Sequence, residues 1–389
     1  MNILVIGNGF DLAHGLQTTY KDFLRFTDEF VVYKTAKENG HELGWNDDED
    51  IRFYKYFITL FNESQRNKDA QRIVNELDGL IKDNVWLEHF KKAQIENGWI
   101  DFENEISKVI QTLEDVRKII DSALKQGISK IELDWRQKRI LKYVAVGVQG
   151  IEDVISTPKE RGLRDLDRLI RCLEIYLSDY INNYSIETIL PDIEQLPYLD
   201  KVLSFNYIDT YERLYNNHSF LEFDYIHGKA DINKTVDTNN MVLGIDEYLK
   251  GEGRNENIEF IEFKKFYQRI HKETGSLYRR WIDDIRSNKK ITEMVVLYDE
   301  DGKPTKATRK QVEFHKLFIF GHSLDITDKD VLRDLILNDN VQTTIFYMDK
   351  KDYGRKIMNL VKIITQDELI KRTGGATKTI TFKKITETN

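Results

Sequence analysis

"ILVIGNGFDLAHGL", residues 3–16, carries four aliphatic residues into Gly-Asn-Gly and then adds an acid, a histidine and a third glycine. A short apolar run ended by glycines reads as a strand buried on both faces, the kind found in parallel sheets. A strand that runs through Gly-x-Gly into a helix can bring backbone N–H groups up to an anion. The missing side chains permit close approach, and a helix N-terminus favours negative charge. Glycines also serve tight turns for steric reasons alone, so this stretch points to an α/β fold before it points to a ligand.

Familiar motifs that open this way do not fit. The dehydrogenase fingerprint requires glycine where Leu12 stands, and no Gly-Lys-Ser/Thr follows for a phosphate-binding P-loop. "GHSLD" at 321–325 lacks the last glycine of a hydrolase elbow, because position 325 is Asp, and there is no H-E-x-x-H.

Four more runs have the character of the first: Val202–Phe205, Phe223–Ile226, Leu317–Phe320 and Thr344–Tyr347. A weaker one lies at 241–246 ("MVLGID"), and "KTITFKKI" at 378–385 alternates like an edge strand. Nearly the whole stretch between the first and second runs has helical periodicity instead, as in "RIVNELDGLIKDNVWLEHF" and "LDRLIRCLEIYLSDYI". The expected organisation is a discontinuous sheet domain, residues 1–44, 199–250 and 314–389. A helical insertion (45–198) and a smaller helix-plus-hairpin insertion (251–313) interrupt it.

Net charge is −8 with both signs interspersed, which argues against nucleic acid as the main partner. The single cysteine, Cys172, excludes a disulfide framework or a cysteine-built zinc site within one chain. The N-terminus lacks the basic region of a signal peptide, and no run is long enough to span a bilayer. The expectation is a cytoplasmic protein without membrane contact, with amphipathic surface available for a homo-oligomer.

Polar punctuation recurs after the apolar runs: "GNGFDLAHG" (7–15), "SFNYID" (204–209), "IHG" (226–228), "LGIDE" (243–247) and "GHSLDI" (321–326). In a parallel sheet the carboxyl ends of the strands share one edge, where ligands bind. Residues distant in sequence are therefore expected to converge there on a nucleotide.

In that order the motifs resemble the sirtuin fold, whose G-A-G-I-S, N-I-D, H-G, F-G-E and G-T-S-L elements have counterparts here. The resemblance implies a Rossmann-like, DHS-type nucleotide-binding domain with NAD as ligand or substrate. The zinc cysteines of sirtuins are missing, Asn206 and Asp209 are three apart rather than two, and position 17 is Gln. The resemblance therefore implies cleavage of NAD rather than protein deacylation. A closer resemblance, end to end, is to the AbiH family of phage abortive-infection proteins, through Ile6–Leu16, Thr18–Phe23, "SFNY", "HGK", "LGID", "GHSLD" and "WIDFENEI" (99–106). It implies phage defence, with a phage-derived trigger or a partner effector.

Asn206 and His227 are the expected catalytic pair. The amide holds a ribose, and the imidazole, which titrates near neutrality, takes a proton. Gly7, Asn8, Gly9, Phe10, Asp11, His14, Gly15, Asp209, Gly228, Gly321, His322 and Ser323 are expected to line the nucleotide. Asp11 is the odd member, since an acid repels phosphate; ribose binding or helix capping suits it better. Asp325 and Asp328 read as caps for the helix near Lys329. Two alternatives stay open. One is a nucleotide sensor that regulates an effector. The other is a metal-dependent nuclease using Asp101, Glu103 and Glu105, with Trp99, Phe102 and Ile106 on the same helix.

Overall fold

The computed structural model describes residues 1–41, 51–97, 100–127, 132–186, 188–216, 220–249, 257–288, 291–299, 303–312, 314–375 and 378–386, less 145–152. Contacts divide the chain into two compact units, residues 1–17, 184–229 and 272–389, and residues 18–183 and 230–271.

The first unit is built on a six-stranded parallel sheet. In chain order its strands are β1 (Asn2–Ile6), β2 (Lys201–Ser204), β3 (Glu222–Tyr225), the ribbon pair β4 (Ile291–Tyr298) and β5 (Pro304–Val312), then β6 (His315–Phe320), β7 (Val341–Tyr347) and β8 (Ile380–Lys384). The sheet runs β3-β2-β1-β6-β7-β8, every pair parallel, while β4 and β5 form a separate antiparallel ribbon. β1 is central because all of its residues are apolar or satisfied. Ile3 and Val5 face one core with Leu317, Ile319 and the helices Tyr278–Ser287, Lys329–Ile336 and Lys350–Ile364. Leu4 and Ile6 face the other, with Phe10, Phe318, Phe320 and Phe346. Strands covered on both faces must be continuously apolar, which is why they are legible as runs. The chain direction along the sheet reverses between β1 and β6, and this switch point sets where loops open.

The "MVLGID" segment is not a strand of that sheet. It lies in the second unit, where its one bridge is Ile245 with Lys264. The Gln268 side chain takes over the ladder's role, accepting from Leu243 N–H and donating to Leu243 C=O. A Cβ at Gly244 would stand 2.6 Å from the Phe263 carbonyl, so close backbone approach explains that glycine.

The second unit is helical. Helix Tyr20–Glu38 begins at a capping box in which Thr19 and Asp22 each bond the other's backbone N–H. Its buried face packs Phe26 among Phe53, Tyr56, Phe57, Tyr176 and Tyr180. Phe102 is stacked between Tyr20 and Phe90, at 4.1 Å on each side. Burial of each such ring contributes about 2 kcal/mol. Arg171, fully buried, pairs with Glu76 and Glu174 and donates to the carbonyls of Asp231 and Ile232, tying the 230–271 segment to the helices. Among the described residues no helix is long and apolar enough to cross a membrane.

Candidate functional site

The carboxyl ends of β1, β2, β3 and β6 bring "GNGFD", "SFNYID", "IHG" and "GHSLD" to one edge of the sheet in the first unit. "LGIDE" follows no strand of this sheet and lies in the second unit.

The glycines at this edge are occupied by neighbouring backbone. Gly7 N–H donates to Phe320 C=O at 3.2 Å, Gly9 N–H to Gly321 C=O at 2.8 Å, and Phe10 N–H to Gly7 C=O at 2.8 Å. A Cβ on Gly7 would meet His322 Cα at 2.7 Å, and one on Gly9 would meet the Gly321 carbonyl at 2.7 Å. Gly321, at φ +67°, would place its Cβ 2.1 Å from Phe10 N. These three glycines therefore let two strand-end loops touch, and the N–H groups of Gly7, Gly9 and Phe10 are taken up by backbone carbonyls. Phe10 itself is core, fully buried. Gly15 and Gly228 have φ of +76° and +77° and serve turns. Asn8 and Ser323 are exposed, and the Ser323 carbonyl accepts from Asn359.

His14 is a bracket. Its Nδ1–H donates to Phe10 C=O at 2.7 Å and its Nε2 accepts from the Tyr215 hydroxyl at 2.8 Å, which in turn accepts from Leu190 N–H. Burial holds the ring below the usual imidazole range, so it stays neutral in this role.

The polar centre is formed by Asp11, Asn206 and Asp209. Burial pushes the Asp11 carboxyl up to about 7; Asp209 adds repulsion, while the nearby Thr210 hydroxyl and Asn206 amide pull the other way. Asn206 is anchored by its Nδ2–H to the Gly7 carbonyl at 3.1 Å and by Ser204 Oγ at its backbone N–H. Asp209 pairs through Oδ2 with Lys229 at 3.1 Å. The Oδ1 atoms of Asp11, Asn206 and Asp209 are buried with no hydrogen-bond partner in the protein. Buried polar atoms are nearly always paired, so oxygens orphaned together at a strand edge mark a place where a ligand or water completes the set. All three are acceptors when the acids are ionised, and they call for a donor-rich ligand rather than a phosphate.

His227 and His322 lie at the same edge, both buried, with Phe205 edge-on to each ring. Between them is Asp328, 3.3 Å from His227 Nε2 and 3.5 Å from His322 Nε2. Asp325 caps the short turn Ile326–Asp328, accepting from Thr327 N–H, rather than the helix at Lys329, and Asp328 makes no capping bond there. Sequence reasoning missed this second use of Asp328. It also missed Lys356, whose buried ammonium donates to the His322 carbonyl at 2.7 Å. The signal for Lys356 was its place on the apolar stripe of its helix, in register with Leu360 and Ile363.

The carboxylates of "WIDFENEI" are not gathered into a metal site. Asp101 sits outside the helix in extended backbone and caps it through Asn104 N–H, so it does not share a helical face with Glu105. Glu103 pairs with Lys265 at 2.8 Å, and Glu105 pairs with His89 and Lys108. The contact with His89, aided by Lys108, holds Glu105 below the usual range against the cost of burial. Three carboxylates each committed to separate partners do not make the nuclease centre considered above. No group of three or more His, Cys, Asp or Glu able to hold a metal occurs among the described residues. Trp99 lies outside the described residues.

A parallel sheet with buried acids, an amide and imidazoles along one edge, in a chain that also carries a helical unit, defines an α/β protein with a polar strand-edge site. The chain belongs to the AbiH family: the family model for bacteriophage abortive infection AbiH matches residues 3–349. That membership makes it a phage abortive-infection protein. Against curated proteins the chain has no match.

Proposed function

We propose that this AbiH-family protein defends against phage by hydrolysing the N-glycosidic bond of NAD or a related nucleotide at the edge of its parallel sheet. The observation that carries the reading is the set of orphaned acceptor oxygens on Asp11, Asn206 and Asp209. A ribose offers the hydroxyl donors they lack. The strand order, with the ribbon set aside, is that of sheets that bind dinucleotides at their switch point. The motif order that resembles sirtuins supports the same ligand class.

The chemistry asks little of an acid. The nicotinamide ring is cationic before cleavage and leaves as a neutral molecule, taking the electron pair of the C1′–N bond. What the site must supply is a held sugar, stabilisation of the oxocarbenium-like state and a placed water. Asn206 and Asp209 hold the ribose hydroxyls. Asp11 shares a proton with them, and its burial keeps that proton available near neutrality. His227 takes the proton from water as the new C1′–O bond forms.

The test is release of free nicotinamide, followed by chromatography, from NAD mixed with the purified protein, and the NAD pool of phage-infected cells that carry it. Loss of both signals in Asn206→Ala and His227→Ala is expected. An unchanged NAD pool in cells that are defended against phage would overturn the reading. Tight nucleotide binding without product would make the protein a sensor instead.

A further inference from the structure

Asp328 has a geometry that helix capping does not explain. It occupies the N-cap position of helix Lys329–Ile336, yet its carboxylate turns away from the helix and spans two imidazoles. One of these rings is fixed independently. His322 Nδ1 accepts the Leu324 N–H at 2.9 Å, so in the neutral ring the proton resides on Nε2, the nitrogen facing Asp328. On the same turn Leu324, fully buried, has φ +58°, a left-handed conformation costly for a branched side chain. Lys356 and Asn359 secure the carbonyls of His322 and Ser323 on the same turn. The turn is thus over-determined, and it leaves a carboxylate with one oxygen 3.5 Å from His322 Nε2 and the other 3.3 Å from His227 Nε2.

We infer that Asp328 is the positioning residue for His227: its carboxylate engages Nε2, keeps the proton on that nitrogen and so places the basic lone pair on Nδ1. This rests on the reading of His227 as the base. When Nδ1 takes a proton from water, the imidazolium formed lies 3.3 Å from a carboxylate that is ready to stabilise it. At 3.3 Å the two groups are within reach but not aligned as a hydrogen bond, and such contacts commonly close only when substrate arrives. His322, whose Nε2 stands 3.5 Å from the other carboxylate oxygen, is the second arm.

The substitution Asp328→Asn separates this role from capping, because asparagine caps a helix as well as aspartate does. Nitrogen-15 spectra of the histidine rings, recorded without substrate, report the tautomer directly. In the unsubstituted protein His227 is expected to be protonated on Nε2. In Asp328→Asn, whose amide can offer an N–H to that nitrogen, the population shifts toward Nδ1–H. Nicotinamide release should fall roughly 100-fold in kcat with KM and melting temperature nearly unchanged. A His227 protonated on Nδ1 in the unsubstituted protein, or the same tautomer in both proteins, overturns the inference. Should no nicotinamide be released by any form, the ring spectra still decide the role of Asp328, and it is the hydrolase reading that fails.

Discussion

Gly9 and Gly321 meet backbone to backbone, the N–H of one 2.8 Å from the carbonyl of the other, although 312 positions separate them. The contact locks the loop after β1 to the loop after β6 and so fixes the edge on which Asp11, Asn206 and His322 stand. It also makes distinct demands on the glycines around it.

Gly321→Ala should destabilise the protein by about 3 kcal/mol or more, since its Cβ would overlap Phe10 N and its backbone is left-handed. Gly15→Ala, with the same sign of φ but open space around its Cβ, should cost only about 1 kcal/mol. Urea unfolding midpoints of the two variants provide the comparison. Equal losses would mean that the loops can separate without cost.

Asp11 links stability to pH. Its carboxyl is raised from an ordinary 3.8 to about 7, so the folded state binds the proton more tightly than the unfolded one. The stability this contributes is fully present below pH 3.8 and is lost as pH rises toward 7. The full span of the shift corresponds to about 4 kcal/mol. Asp11→Asn should therefore gain on the unsubstituted protein between pH 5 and 8, as read from unfolding midpoints at those two values. Parallel pH profiles for the two proteins would contradict this.

His14 and Tyr215 should behave as a coupled pair. His14→Ala and Tyr215→Phe each break the bond between Nε2 and the hydroxyl, so the double variant should lose about 1 kcal/mol less than the sum of the singles. A double-mutant cycle by urea unfolding measures the difference. Strict additivity would show that the bond contributes nothing.

In the helical unit, Arg171→Ala would strand the Glu174 carboxylate in a fully buried position. The expected loss is about 3–5 kcal/mol, seen as a lowered melting temperature. Replacement of an exposed arginine such as Arg164 should leave the temperature within error.

Cys172 is fully buried, and burial pushes its thiol up to about 12. Because only a thiolate reacts, a maleimide should label it in denaturant and not in the native protein. Rapid native labelling would mean that the helix around it opens readily.

The sequence by itself determined that this is an α/β protein with a parallel sheet. Runs such as Ile3–Ile6 and Leu317–Phe320 are apolar at every position because both faces are covered, and that pattern is local. It also singled out the polar turns, since Gly-Asn-Gly and His-Gly are written in adjacent residues. "MVLGID" looked the same locally and is no sheet strand, because a glutamine 25 positions away occupies its backbone groups. Only the tertiary structure decided that the glycines at 7, 9 and 321 serve each other, that Asp328 leaves its helix for two histidines, and that Glu103 is bound to Lys265. Each of these depends on which backbone or charge arrives opposite, and strand register and helix packing set that across hundreds of positions. No local pattern contains it.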